Sequence, residues 1–152
     1  MYVIDATDRR ILTELDADAR MPVAMLAHTL GLARGTVQAR LDRMQAAGVF
    51  RAHSARVKPA AFGRPVAAMV KIELDQHLIA EAVRALASIP EVLECFAPAG
   101  DTDLLVRVVA RDPDDLYRVS EEIRLCPGIE RTSTSLFLRQ VIPYRVSGML
   151  AE

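Results

Sequence analysis

Apolar residues recur at helical spacing up to residue 50 and at strand spacing after residue 65, so the chain divides into two kinds of structure. Ile11, Leu12 and Leu15 fall on one helix face behind Asp5, Thr7 and Asp8, which suit a helix start and complement its positive end. Asp16 and Asp18 break that pattern. A second helix opens at Pro22, and Val23, Leu26, Ala27 and Leu30 form the i, i+3, i+4, i+7 stripe that must face a core. Gly31 ends it by tolerating left-handed backbone, and a third helix is predicted from Ala33 to Ala47, stopped by Gly48. Two short helices joined by so tight a glycine turn are the helix-turn-helix pattern.

Beyond Gly48 the segment Val49 to Val57 is short and β-prone, with Arg51 and Arg56 near its ends, and reads as a wing beside the three helices. Two prolines and a glycine between Lys58 and Pro65 place a hinge there. The period then changes. Val66, Ala68, Val70, Ile72 and Leu74 alternate with Ala67, Met69, Lys71 and Glu73, which predicts a strand with one apolar face. A helix from Leu78 to Ser88 turns Ile79, Val83 and Leu86 inward. Strands follow at Val92 to Pro98 and Leu104 to Ala110, then a helix from Asp112 carrying Leu116, Val119 and Ile123, then a last strand from Ile129 to Ile142. The predicted class is α+β: a winged helix-turn-helix domain (1–50), a wing and hinge (51–65), a ferredoxin-like βαββαβ domain (66–142) and a tail (143–152). Leu105, Val109, Leu136 and Leu138 supply apolar groups to both faces of the sheet, and burial of the uncovered face by a second chain is the expected solution.

Charge alters this picture only when it is divided. The 152 residues carry 19 basic and 20 acidic side chains, a formal net of −1. Residues 1–64 hold 10 basic against 6 acidic groups, whereas residues 65–152 hold 9 against 14. From Ala33 to Arg64 the cations Arg34, Arg40, Arg43, Arg51, Arg56, Lys58 and Arg64 face only Asp42, a candidate polyanion surface. At roughly 100° per residue, Val37, Leu41 and Met44 form the buried side of the third helix. Thr36, Arg40 and Arg43 form a flank, and Gly35, Gln38 and Ala39 lie on exposed ground. Such a helix meets the needs of major-groove recognition, where glutamine can bond adenine and arginine can bond guanine or phosphate. The candidate DNA contacts are therefore Arg34, Gly35, Thr36, Gln38, Ala39, Arg40, Arg43, Arg51 and Arg56.

The remaining composition narrows the classes. An apolar content of 51% supports a buried core and excludes a disordered tail. No apolar run reaches the roughly 18 residues of a membrane span, and Asp5, Asp8, Arg9 and Arg10 do not read as a signal peptide, so a cytoplasmic protein is expected. Cys95 and Cys126 are too few for a disulfide framework or a zinc site and read as packing residues, so no metal or cofactor is expected.

Taken in register, these residues resemble the Lrp/AsnC, or feast/famine, transcription regulators from Ile4 to about Val141. The resemblance is carried by Ile4 to Leu12, by Gly31 to Leu41, by Gly48-Val49-Phe50 and by the hinge Pro59 to Gly63. Gly100-Asp101-Thr102-Asp103, Pro127-Gly128-Ile129 and Thr132-Ser133-Thr134 complete it. It implies a homodimer, often assembled into an octamer, that binds double-stranded operator DNA with one domain and an amino acid with the other, and that is not an enzyme. It also implies an effector site at Gly100, Asp101, Thr102 and Asp103, with Thr132 and Thr134. An α-ammonium suits a carboxylate such as Asp101 or Asp103, and an α-carboxylate suits the amides of a glycine turn. Read without the resemblance, Asp101 to Asp103 are a hydrogen-bonded β-turn. Ala33 stands where the family usually has a capping serine, and Thr102 replaces its usual aromatic residue.

Two other readings fit the same architecture. One is a small-molecule sensor or assembly module without DNA binding. The other is an enzyme resembling tetrapyrrole decarboxylases, for which His28, His53 and His77 supply no His–Arg constellation in the second domain.

Overall fold

The computed structural model describes residues 1–151 and separates into two compact units. One comprises residues 1–56 with the segment from Ile142 onward; the other comprises residues 57–141.

The first unit is helical: α1 (Ala6–Ala17), α2 (Val23–Leu30) and α3 (Arg34–Ala46). Asp5 starts α1 with a reciprocal capping box, its carboxylate accepting from the amides of Thr7 (2.8 Å) and Asp8 (2.9 Å) while the Asp8 carboxylate accepts from the Asp5 amide (3.2 Å). Gly31 adopts φ 67° at the end of α2, and Arg10 donates to the terminal Leu30 carbonyl (2.8 Å), placing a cation at the helix's negative end. Ile11, Leu26, Ala27, Leu30, Val37 and Met44 are buried together, with Tyr2, Leu15, Val49 and Phe50 at the margin. The expected wing is absent. After Gly48 (φ 69°) the chain makes a short 3-10 turn at His53–Arg56, and no strand forms in this unit among the described residues. Only Val49 and Phe50 reach the core, and a β-strand needs a paired neighbour that the unit does not provide. The segment from Ile142 groups with the same unit, ends in a 3-10 turn at Ser147–Ala151, and brings the Tyr144 ring under the Arg51 guanidinium (4.1 Å to the ring centroid).

The second unit begins with a 3-10 turn at Pro59–Phe62 and contains β1 (Val66–Leu74), α4 (Ile79–Ala87), β2 (Val92–Phe96), β3 (Leu104–Ala110), α5 (Pro113–Arg124) and β4 (Ile129–Leu136). All pairings are antiparallel in the order β2-β3-β1-β4, the ferredoxin-like arrangement. Val70, Ile72, Leu86, Val106, Val108, Val119 and Ile123 are at most 1% exposed in its core. The stripe of α4 runs through Ala82 rather than the expected Val83, which is 41% exposed. β4 is shorter than predicted: it ends at Leu136 opposite Ala68, Phe137 still donates to the Ala67 carbonyl, and positions beyond Leu138 would run past Val66, the first residue of β1. The register puts Ala67, Met69, Leu105, Val109, Phe96 and Phe137 on the face opposite the buried core positions.

Gly128 shows why Pro127-Gly128-Ile129 has its composition. Its φ is 78°, and an added Cβ would lie 2.6 Å from the Leu78 Cβ, so both backbone freedom and absence of a side chain are required.

Candidate nucleic-acid interface and effector loop

Helix α3 is anchored by Val37 and Met44, both fully buried, with Leu41 partly buried beside them. Its other side presents Arg34, Gly35, Thr36, Gln38, Ala39 and Arg43 to solvent. Arg34 and Arg43 form no ion pair among the described residues, and Gln38 donates to its neighbour Asp42 across one helical turn (2.8 Å). Ala33 offers no side-chain cap, so the first amides of α3 are not taken up by a capping hydroxyl. Arg51 and Arg56 are exposed after the helix.

Arg40 departs from the expectation of a free cation on this flank. Its Nη1 donates to Asp5 Oδ2 (2.6 Å) and to Asp8 Oδ1 (2.9 Å), and only 20% of its side chain is exposed. The carboxylate hydrogen bonds hold the guanidinium more firmly protonated than usual, and reciprocally keep Asp5 below its ordinary range. Arg64, counted in the same basic stretch, belongs to the second unit and pairs with buried Glu91 (2.9 Å). The exposed positive surface is thus narrower than the charge count suggests and centres on Arg34, Arg43, Arg51 and Arg56.

The effector candidates divide in the same manner. Gly100 has φ 130°, and Asp101 is exposed with no hydrogen-bond partner among the described residues. Asp103, by contrast, accepts from the Leu74 amide (2.8 Å) and from the Gln76 side chain, while its own amide donates to the Ile72 carbonyl (3.1 Å). These bonds tie the loop to the end of β1. Thr102 is half-buried between the two aspartates. Thr132 and Thr134 sit opposite Ile72 and Val70, on the helix-covered face, where Thr134 shares a hydrogen bond with Ser120 of α5 (3.1 Å). The structure therefore does not bring these threonines to the open face. Among the described residues no cluster of histidine, cysteine and carboxylate side chains could hold a metal ion, and no helix is long and apolar enough to cross a membrane.

Comparison with known proteins assigns both halves. Residues 4–45 match the AsnC-type helix-turn-helix domain, and residues 67–147 match the Lrp/AsnC ligand-binding domain. The chain belongs to the Lrp/AsnC family of transcription regulators. Among its relatives, the proline dehydrogenase transcriptional activator of Rhodobacter capsulatus is 34% identical over 92% of this chain and 94% of its own. The regulator AldR of Mycolicibacterium smegmatis is 34% identical over 91% and 83%. The solved structure of Escherichia coli AsnC superposes with a TM-score of 0.86 at 29% identity, covering 96% of this chain and 99% of that one. The feast or famine regulatory protein from M. tuberculosis, solved with L-methionine, superposes at 0.80 with 31% identity over 94% and 97%.

Within this Lrp/AsnC chain two polar arrangements escaped the sequence reading. One is the contact of Arg40 with Asp5 and Asp8, 35 and 32 positions apart. The other surrounds buried Glu91 and Asp115 with Arg64, Arg111 and Arg118. Capping fully accounts for Asp5 and Asp8 at the local level, so nothing in their immediate sequence signals a distant partner, and Glu91 is separated by 27 positions from both Arg64 and Arg118.

Proposed function

We propose that the chain binds double-stranded operator DNA through the exposed side of α3 and regulates transcription in response to an amino acid. The observation that carries the reading is the exposed, unpaired Arg34 and Arg43 on a helix fixed by Val37 and Met44, in a chain of this family. The first turns of α3, with Gly35, Thr36, Gln38 and Ala39, enter the major groove, while Arg34, Arg43, Arg51 and Arg56 meet phosphates. The uncapped amides at its start add donors for a phosphate oxygen. Replacing Arg43 or Arg34 by Gln lowers the slope of log affinity against log salt by about 0.9 for each phosphate no longer neutralised. Fluorescence anisotropy on duplex DNA over a salt series reads this directly, and unchanged slopes in both variants would remove α3 from the interface.

The effector site of this reading is Gly100, Asp101 and Thr102, where Asp101 has a free carboxylate for an α-ammonium group. Asp103 shapes the loop through its bonds to Leu74 and Gln76. Since a relative was solved with L-methionine, methionine heads the panel of amino acids to be tested by thermal shift. A rise in melting temperature that Asp101→Ala abolishes supports the site, and a flat panel defeats it. A homodimer is formed through the open sheet face, with octamers as the higher assembly, and Leu105→Lys reduces the mass seen by light scattering without unfolding the chain. The role is regulatory rather than catalytic, and it is carried out in the cytoplasm.

A further inference from the structure

Arg40 has the wrong surroundings for a phosphate contact. Its guanidinium lies against two carboxylates, so the local charge is net negative and would repel an approaching phosphate. Asp8 is 1% exposed, and its other oxygen accepts from the Tyr2 hydroxyl (2.8 Å) and the Asp5 amide (3.2 Å). These two donors are neutral. Among the described residues Arg40 is the single cation paired with this buried carboxylate, and it reaches from the middle of α3 to the first turn of α1. A buried charge left without its partner is strongly unfavourable, so the pair restricts α3 to positions that keep the two groups together. The apolar packing of α3 is less directional: Val37, Leu41 and Met44 fix which side is buried but permit small sliding and rotation.

We propose that Arg40 is a positioning residue for DNA recognition, holding the register of α3 against the start of α1 through Asp5 and Asp8, and that it makes no phosphate contact. The proposal rests on the reading of α3 as the recognition helix. Under it the motif Asp5-Ala6-Thr7-Asp8 has two tasks, capping α1 and setting where Gln38, Ala39 and Arg43 meet the groove. The electrostatic consequence is opposite to that of an ordinary surface acid. Removing a carboxylate near DNA ordinarily strengthens binding, whereas removing the Asp8 charge here leaves Arg40 held by the exposed Asp5 alone, loosens its hold on the start of α1 and weakens sequence-specific binding.

The experiment uses the full chain and two probes: a duplex selected by the wild-type protein from a random-sequence library, and a mixed-sequence duplex. Arg40→Gln and Asp8→Asn are each expected to weaken binding to the selected duplex by roughly tenfold, with a combined effect no larger than either alone, as for members of one coupled network. Binding to the mixed duplex and its salt slope stay at wild-type values, because the phosphate-binding cations are untouched. Arg40→Lys, which keeps the charge, retains more of the specific affinity than Arg40→Gln. Arg43→Gln gives the contrasting pattern, lowering the salt slope on both probes. Circular dichroism and melting curves confirm that the compared variants are folded. Should Asp8→Asn unfold α1, Asp5→Asn removes only the exposed half of the ion pair and must show the same loss of specificity in weaker form. A lowered salt slope for Arg40→Gln, or unchanged or tighter specific binding by Asp8→Asn, overturns the proposal while leaving the DNA reading intact. A wild-type protein that selects no sequence and binds neither duplex overturns the DNA reading itself, and the proposal with it.

Discussion

The two units bury charge for different ends. In the helical unit one buried carboxylate, Asp8, is answered by one arginine on another helix, and their pairing orients a surface that is itself exposed and polar. In the sheet unit two buried carboxylates, Glu91 and Asp115, gather Arg64 from the hinge, Arg111 from the turn after β3 and Arg118 from α5, while the functional expectation falls on a sheet face that mixes apolar and charged residues and on a loop. The cores differ as well. Among the described residues six buried apolar side chains form the cluster of the first unit and fourteen that of the second, so helix placement in the first depends more on each polar interaction. A small apolar cluster sets which sides meet; directional hydrogen bonds set how they meet.

The largest effects should come from the cores themselves. Leu86→Ala in the sheet unit and Ile11→Ala in the helical unit each remove a side chain at most 1% exposed and are expected to cost about 2–5 kcal/mol in denaturant unfolding. If the smaller core is the less redundant one, Ile11→Ala reduces sequence-specific DNA binding at temperatures where Leu86→Ala still leaves it intact. Equal losses of specificity in the two folded variants would break the comparison.

A smaller loss is expected at Gly128, where Gly128→Ala meets both a positive φ and the Leu78 side chain and should destabilise by roughly 1–3 kcal/mol. Gly63 also has positive φ, at 71°, but nothing lies within 4 Å of an added Cβ, so Gly63→Ala should cost less. Melting temperatures of the two variants test that ordering.

The smallest effect is the pH dependence. Asp115 is held well below the usual carboxylate range by hydrogen bonds from the Arg111 side chain and amide and from Arg118. Burial pushes Glu91 upward, but the bond from Arg64, its own amide and the charge of Arg118 outweigh it and bring it below its ordinary value. Both folded values are depressed relative to the unfolded chain, so their stabilisation is complete above the unfolded carboxylate range of about 4 and is lost as pH falls from there toward the folded values. Urea unfolding between neutral and acid pH should show a shallower acid loss in Asp115→Asn than in the wild type. Parallel curves would show that the arginine cluster does not distinguish the folded from the unfolded chain.

Local pattern was legible wherever a single element decides its own form. The alternation from Val66 to Leu74, the stripe from Val23 to Leu30 and the caps Asp5 and Asp112 each appear in the structure where period and side-chain chemistry put them. The wing failed because β-propensity in Val49 to Val57 cannot act without a partner strand, and β4 ended early for the same reason. Of the nine candidate DNA residues, Arg40 alone is withdrawn from solvent into an ion pair, and that follows from Asp5 and Asp8, which local spacing had already accounted for as caps.

Sequence by itself determined the two-part organisation, the three helices, the βαββαβ order and the face of α3 that is buried, because these depend on periodicities of 3.6 and 2 that any short stretch displays. Tertiary structure decided which charges remain free. Arg34 and Arg43 stay available while Arg40 and Arg64 are paired, and Asp101 stays available while Asp103 is tied to β1. An ion pair forms between groups brought together by the fold across tens of residues, and its energy depends on distance and burial that no local pattern carries.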